Sequence, residues 1–527
     1  MMLKPLLTAT AAAALSAGAA MAEYSITIVH TNDFHDRFEP ISRFNNACRE
    51  GDNEEGKCFG GMARVATAIA RARERHDNLL VVDAGDQFQG TLFFQVYSGD
   101  VQAEMMSRAG YDAMVVGNHE FNKGPEGLAR FIQQVNFPVL MSNADLSAEP
   151  AVRDLIKKSV VIEKAGERIG LIGATPANTD EISSPGPNIS FLDPSPAVQA
   201  EIDALEADGV DKIILLSHSG FATDQMIAMN TQGLDVIVGG HSNTFLSNTD
   251  DGAVDSYPSM MNGVPIVQAF AYGKYLGELE VTFDDDGNVT SAVGEPILLD
   301  TNIPEDEGVV ARLASLAEPL DAFRNQVVAE AAVSLDGQRE SCRFMECEMG
   351  NLIADAILER TKDQGIQIAI QNGGGIRASI DPGDITKGEV ISVLPFQNVL
   401  ATFFIPGSAV KAALENAVTQ YDDPDATGRF AQVAGLKYTI NKSAPTGERI
   451  SDIMVMEGDS FVPLDMDKMY GVAANDFLRR GGDGYSMFVD AENAYDFGPD
   501  LADVFEEFLA ANAPVTPYIE GRITINE

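Results

Sequence analysis

Along the first half of the chain, short apolar runs end abruptly in polar, ligand-type side chains. Ala113-Met114-Val115-Val116 has the length and composition of a buried strand, and within two residues it gives way to Gly117-Asn118-His119-Glu120. ITIVHTNDFH ends the same way in Asp33 and His35, NLLVVDAGD in Asp86, KIILLSHSG in His218, and LDVIVGGHSN in His241 and Asn243. Between these runs lie helical patterns. GMARVATAIARARERH puts Met62, Val65, Ile69 and Ala72 on one face, Pro125 opens a second helix, and a third is expected near 196–207. The alternation predicts an α/β fold over residues 24–300. Ligands of open α/β sheets bind outside the carboxyl ends of the strands, so these five ends describe one site. PIVQAF and LGELEVTF close this half as β structure, with Asp284-Asp285-Asp286-Gly287 as a hairpin turn.

The pattern then changes. Val309, Leu313, Leu316, Leu320, Phe323 and Val327 recur at helical spacing, which predicts one long helix joining two domains. Pro319 lies inside it and is expected to kink or interrupt it. Beyond it, CRFMECEMGNLIADAILERT becomes a helix and IQIAIQNGGGIR is a strand running into a glycine-rich turn. GLKYTIN and RISDIMV are strands, and NDFLRRGGDGY is a second glycine-rich loop.

A chain of 527 residues is long for one domain, which agrees with two. The formal charge of -43 argues against nucleic acid as a partner, and a phosphorylated small molecule would need a local cationic site to override that field. Residues 1–22 combine Lys4, an Ala- and Leu-rich stretch and Ala20-Met21-Ala22, the pattern of a signal peptide rather than a membrane anchor. A periplasmic or secreted protein is therefore expected, and four cysteines fit that oxidising setting. Of the three possible pairings, Cys48–Cys58 and Cys342–Cys347 each close a local loop and are the expected disulfides.

Asp33, His35, Asp86, Asn118, His218 and His241 offer oxygen and imidazole nitrogen without thiolate, a set suited to Zn, Mn or similar divalent ions. A carboxylate such as Asp86 can bridge two such ions, the arrangement by which two-metal hydrolases activate water and stabilise developing charge. Only six histidines occur, and four of them follow apolar strands. His30, inside a strand, and His76, at the end of a charged helix, are read as structural.

In order, D-x-H, G-D-x-F-x-G, G-N-H-E-F, S-H-S-G and G-G-H-S-N-T resemble the calcineurin-like metallophosphatases. With PIVQAFAYGKYLGELEV, SCRFMECEMGNLIADA, NGGGIR and GGDGY, nearly the whole mature chain resembles the 5'-nucleotidase family, closest to its ecto-5'-nucleotidase branch. The resemblance implies an N-terminal four-layer α/β metallophosphoesterase domain (23–304), a linking helix (305–328) and a C-terminal α/β substrate domain (329–527), which rotate between open and closed forms. It implies hydrolysis of nucleoside 5'-monophosphates. Cyclic-nucleotide phosphodiesterase/3'-nucleotidase and nucleoside diphosphate or UDP-sugar hydrolase remain as alternatives, with a nucleotide-binding receptor as the non-enzyme reading.

By resemblance, the six residues above hold two divalent ions, with Zn first and Mn, Co or Mg as alternatives. His119 is the catalytic histidine, and Arg37, Arg343 and Arg377 hold phosphate or nearby oxygens, as a guanidinium fork can. Asn243 lies close to metal or substrate. Asn372 and Gly373-Gly374-Gly375 let the backbone approach the nucleoside. Phe430 and Phe477 sandwich the base, and Asp483 contacts ribose or base. One position departs from the family's pattern: Asn122 stands where 5'-nucleotidases have an Asp paired to the catalytic histidine. Neutral Asn122 is expected to orient His119 without raising its pKa as a carboxylate would.

Overall fold

The computed structural model describes residues 23–526 except 44, 49–50, 424–427 and 459. The segment read as a signal peptide lies outside the described residues.

Two six-stranded sheets pack face to face in the first half. One runs in the order Val289–Leu298, Tyr275–Phe283, Tyr24–Thr31, Leu79–Asp83, Ala113–Val115, Val139–Leu140. The other runs Ser259–Met261, Val264–Val267, Val236–Gly239, Ile213–Ser217, Glu167–Ala174, Ser159–Lys164. The period of two along a strand sorts the side chains. Ile26, Ile28, Leu80 and Val82 meet Leu171, Leu215 and Ile237 of the opposite sheet, while Val29, Val81 and Met114 pack with the helices Met62–Arg75, Asp100–Ala109 and Gly124–Ile132. The helix Pro194–Ala207 adds Val198, Ile202 and Leu205 to the core that includes the second sheet. The result is the expected four-layer arrangement.

The strands that carry the polar ends run parallel: Tyr24–Thr31 with Leu79–Asp83, Leu79–Asp83 with Ala113–Val115, and Ile213–Ser217 with Val236–Gly239. Their carboxyl ends therefore open on one edge of the sandwich.

The helix Glu307–Arg324 is capped by Asp306, whose Oδ1 accepts from Val309 N at 2.8 Å. It runs through Pro319 without interruption, so of the two expected outcomes, kink or interruption, the second does not occur. Pro319 faces solvent, so the carbonyl that loses its N–H partner can be hydrated. The helix also ends earlier than its apolar spacing suggests. Asn325 caps it, and Val327 begins the strand Val327–Ala331. Beyond lie a five-stranded sheet ordered Ala431–Ala434, Ile368–Asn372, Met469–Asn475, Leu400–Pro406, Glu492–Tyr495, and a four-stranded sheet that includes Leu436–Asn441 and Ile450–Glu457. Both expected disulfides, Cys48–Cys58 and Cys342–Cys347, are formed.

Candidate active site

The turns after the parallel strands bend sharply inward. Asp33, His35, Asp86 and His241 all have positive φ, between 49° and 71°. Such backbone is costly for residues with a side chain, and it persists where the surroundings over-determine it. Here they do. The buried carboxylate of Glu120 accepts four main-chain N–H groups, from Gly117 (2.7 Å), Asp86 (2.9 Å), Gln87 (2.8 Å) and Phe88 (3.1 Å). It ties the turn carrying Asp86 to the turn carrying Asn118 and His119.

Asp86 is the hub of the cluster. Its Oδ2 lies 3.0 Å from His218 Nε2, 3.8 Å from His35 Nε2 and 3.9 Å from His119 Nε2. Asp33 Oδ1 is 3.9 Å from His35 Nε2 and 4.0 Å from His218 Nε2. Two sets of potential ligand atoms, His35/Asp86/His119 and Asp86/His218/His241, are each gathered within 4.8 Å and share Asp86. The rings are held from behind. His35 Nδ1 donates to Phe88 O at 3.1 Å and His218 Nδ1 to Ala84 O at 2.6 Å, since a carbonyl can only accept. Each Nε2 is thereby turned toward the cluster, the arrangement of a metal-ligating histidine. His241 Nδ1 meets Asn118 Oδ1 at 3.0 Å.

The electrostatics also suit a cation. Burial pushes the Asp86 carboxyl up, but His218, His119 and His35 together outweigh it and hold it well below the usual carboxylate range. At Asp33 burial wins, and the carboxyl rises to about 6. Burial lowers His119 to about 4 and drives His35 and His241 well down, so these three rings are neutral at neutral pH. Asp33 Oδ1 is buried with no hydrogen-bond partner among the described residues, and against its burial His218 is raised to about 10 by Asp86. An orphaned buried carboxylate oxygen among imidazoles, and an imidazole held charged by its carboxylate neighbours, are what a divalent cation would satisfy, so this donor set fits one.

Facing the cluster across one cavity are residues of the second half: Arg339, Arg343, Arg377, Asn372, Phe477 and Asp483, with Gly374 and Gly375. Arg377 Nη2 donates to His35 Nε2 at 3.0 Å. Arg343 lies within the disulfide loop, and burial followed by the charges of Arg339 and Arg377 pushes its guanidinium well down. Three guanidinium groups in one wall supply the local positive field that the acidic chain as a whole lacks. Asn372 Nδ2 donates to Asp483 Oδ2 at 2.8 Å, which ties the first glycine-rich turn to the second.

His218 is fully buried behind the cluster, and three residues expected to bind substrate do not line this cavity either. Arg37 is buried beside it, donating to Gly90 O at 2.6 Å with its guanidinium 5.5 Å from the Tyr272 ring centroid. Asn243 lines a neighbouring cavity that shares Arg339, Arg343 and Arg377. Phe430 is 1 % exposed and sits in the core of the second half, leaving Phe477 alone of the aromatic pair on the wall. His30 is a core residue paired with the Tyr257 hydroxyl at 2.8 Å, and His76 is paired with Glu278, as their positions in the sequence suggest.

Sequence reasoning missed Glu120, Arg339, Phe396 and the loop 182–184, all but the first of which line the cavity. Phe396 stacks on His119 at 5.6 Å and carries Arg377 over its ring at 5.7 Å. Arg339 stands four residues before Arg343 in QRESCR, a signal that was available; Phe396 in LPFQN carries none.

Two family models match the chain: a calcineurin-like phosphoesterase over residues 26–245 and a 5'-nucleotidase C-terminal domain over residues 327–490. A 5'-nucleotidase of Diplobatis ommata is 40 % identical, covering 96 % of this chain and 91 % of its own. The 5'-nucleotidase of Homo sapiens is 38 % identical, covering 95 % and 91 %. The crystal structure of a 5'-nucleotidase precursor from Thermus thermophilus superposes with a TM-score of 0.91 at 41 % identity, covering 95 % of this chain and 99 % of that one.

Proposed function

Because this chain belongs to the 5'-nucleotidase family, metal-dependent hydrolases of phosphoric monoesters built on a calcineurin-like phosphoesterase domain, we propose that it converts nucleoside 5'-monophosphates to nucleoside and phosphate with two divalent ions. The observation that carries this reading is the pair of ligand groups sharing Asp86 opposite a wall of arginines, glycine-rich backbone and Phe477.

Asp33, His35, Asp86, Asn118, His218 and His241 would hold the ions, with zinc the first expectation for this donor set. Bound there, divalent ions supply Lewis-acid charge for the phosphate oxygens. The chain's own residues do the rest. Arg343 and Arg377 orient the phosphate and neutralise charge on it. The backbone at Gly374 and Gly375 lets the nucleoside lie close, and the Asn372–Asp483 pair presents a carboxylate edge to ribose or base hydroxyl and amino groups. Phe477 gives the base a flat face to stack on. Arg37, buried behind the cluster, supports from outside the cavity, and Asn243 does so from the adjoining one.

The test is phosphate release from AMP, ADP, UDP-glucose and 2',3'-cyclic AMP, with and without chelator. The reading expects AMP to be turned over best and chelator to abolish turnover, with restoration by added zinc or manganese. Preference for the cyclic substrate, which the string G-N-H-E-F-N keeps in view, would replace it. Phe477→Ala is expected to raise KM for AMP about 10-fold, in keeping with roughly 0.5–1.5 kcal/mol per aromatic contact, and to leave a base-free phosphate ester unaffected. Equal losses on both substrates would make Phe477 structural.

Export belongs to the same reading, with residues 1–22 removed and the mature chain periplasmic or secreted. No helix among the described residues is long and apolar enough to cross a membrane. N-terminal sequencing of the exported protein checks this: a mature chain that still begins at Met1 would end it.

A further inference from the structure

Arg343 projects into the cavity from a six-residue disulfide loop, and its Nε is buried without a hydrogen-bond partner. The path of its own main chain therefore matters for where this guanidinium lies. Gln432 sets that path. It is fully buried on the strand Ala431–Ala434. Its Nε2 donates to Cys342 O at 2.9 Å and to Met345 O at 2.7 Å, and its Oε1 accepts from Cys347 N at 3.2 Å. One carboxamide thus satisfies three main-chain groups spread over the whole loop, Cys342 to Cys347. A carboxamide alone among the side chains offers two donors and an acceptor at one end without charge. The fit is tight as well. A Cβ on Gly350, in the first turn of the helix Glu348–Thr361, would lie 2.4 Å from Gln432 Cγ.

The same stretch of chain also fixes the glycine-rich part of the wall that carries Arg343. Gly373 N donates to Phe430 O and Gly374 N to Gly428 O, each at 2.8 Å. Residues 428–432 therefore work as one spine. The spine sets the glycine-rich turn through its main chain and the arginine loop through Gln432, and so fixes the spacing between them.

We propose that Gln432 is a positioning residue for the reaction, acting through Arg343. This rests on the reading of Arg343 as a phosphate-binding group. Gln432 touches no substrate. Its contribution is the placement of a cation whose Nε has no hydrogen-bond partner among the described residues. Losing it frees three buried main-chain groups to seek new partners, and a loop that rearranges to find them carries Arg343 off its mark.

The experiment is a double-mutant cycle in the full-length enzyme with zinc bound. Gln432→Met removes all three hydrogen bonds, and Gln432→Asn keeps the carboxamide but withdraws it by one methylene. Each is made alone and in an Arg343→Ala background, with thermal melts to select folded variants. If Gln432→Met does not fold, the shorter carboxamide carries the test. Expected are a fall of about 10-fold in kcat/KM for AMP, a matching rise in the inhibition constant of inorganic phosphate, and no more than about a 2-fold further effect when Arg343 is already alanine. Independent, multiplying losses in the two backgrounds would show Gln432 to be structural only and overturn the proposal. If Arg343→Ala by itself leaves kcat/KM and phosphate inhibition unchanged, it is the reading of Arg343 that falls, and the proposal with it. Turnover of AMP by the unmodified enzyme is read separately, so failure of the nucleotidase assignment is not confused with either result.

Discussion

Asp86→Ala is expected to lower kcat for AMP by on the order of 10³-fold or more, and to lower bound metal, with the fold intact. The magnitude follows from where the side chain sits. Groups that only orient a metal ligand typically cost about 10–100-fold when removed, and Asp86 is proposed as the ligand common to both ions. Its Oδ2 faces His218, His35 and His119 within 3.9 Å, and its Oδ1 accepts the main-chain N–H of His119 at 2.8 Å. One substitution thus removes the shared carboxylate and loosens the turn that carries His119 and Asn118. It also leaves three buried rings with no negative charge at their centre. Turnover measured beside metal content by mass spectrometry decides the point. A variant that binds two equivalents of metal and keeps near-wild-type kcat would remove Asp86 from the site. A variant that has lost its cooperative melt would not bear on the question, and for that reason Asp86→Asn, which keeps the shape and drops the charge, is run in parallel.

The metal half of the site was legible because the fold writes it in a local code. A parallel strand must be apolar, and its carboxyl end must be polar where a ligand binds, so the change of chemistry at Asp33, Asp86, Asn118, His218 and His241 marks both the strand and the site. Glu120 sits inside one of those motifs, yet the motif does not disclose its role. Its work is to accept N–H groups from Gly117, Asp86, Gln87 and Phe88, three of which lie more than thirty residues away in sequence. No local pattern reports such a partner. The substrate half was harder for the same reason. Its residues come from short helices, a strand end and loops scattered over 339–483, and without regular spacing an arginine or phenylalanine there looks like any other. Phe430 and Phe477 carry the same signal in the sequence, but only Phe477 lines the cavity; Phe430 faces the core of its own sheet. The strand Ser159–Lys164 went unread because SVVIEK shows no alternation and none of its side chains is fully buried. At Pro319 the rule that proline interrupts a helix depends on which way the residue faces, and the sequence does not say. On the solvent side the freed carbonyl has water, and the helix continues.

His119→Ala is expected to lower kcat by about 10²–10⁴-fold with a much smaller change in KM, the usual span for a side chain that moves a proton in the transition state. The ring is held on three sides. Phe396 stacks on one face, His35 meets it edge-on at 5.1 Å, and Nδ1 lies 3.1 Å from Asn122 Oδ1. That oxygen can only accept, and it takes a second hydrogen bond from Ser183 Oγ at 3.1 Å. The proton therefore resides on Nδ1, and Nε2 faces the cluster with its lone pair. Burial first, and then Arg377, keep the ring neutral, against the opposing pull of Asp86 and Asn122. A dianionic phosphate would favour a proton on Nε2, so the ring can hold one at the phosphate and return it. Asn122→Ala removes the lock on the tautomer and is expected to cost about 10–100-fold, as such orienting partners do. Asn122→Asp keeps the lock and adds a negative charge. The charge raises the pKa of the imidazole, which stays protonated to higher pH, so the basic limb of the kcat profile moves upward relative to the natural Asn122 enzyme. A His119→Ala enzyme within about threefold of wild type would remove the ring from the chemistry altogether. Superimposable profiles for the natural enzyme and its Asn122→Asp variant, with His119→Ala inactive, would instead leave His119 in its role and show that the metal ligands and arginines set its charge without help from position 122.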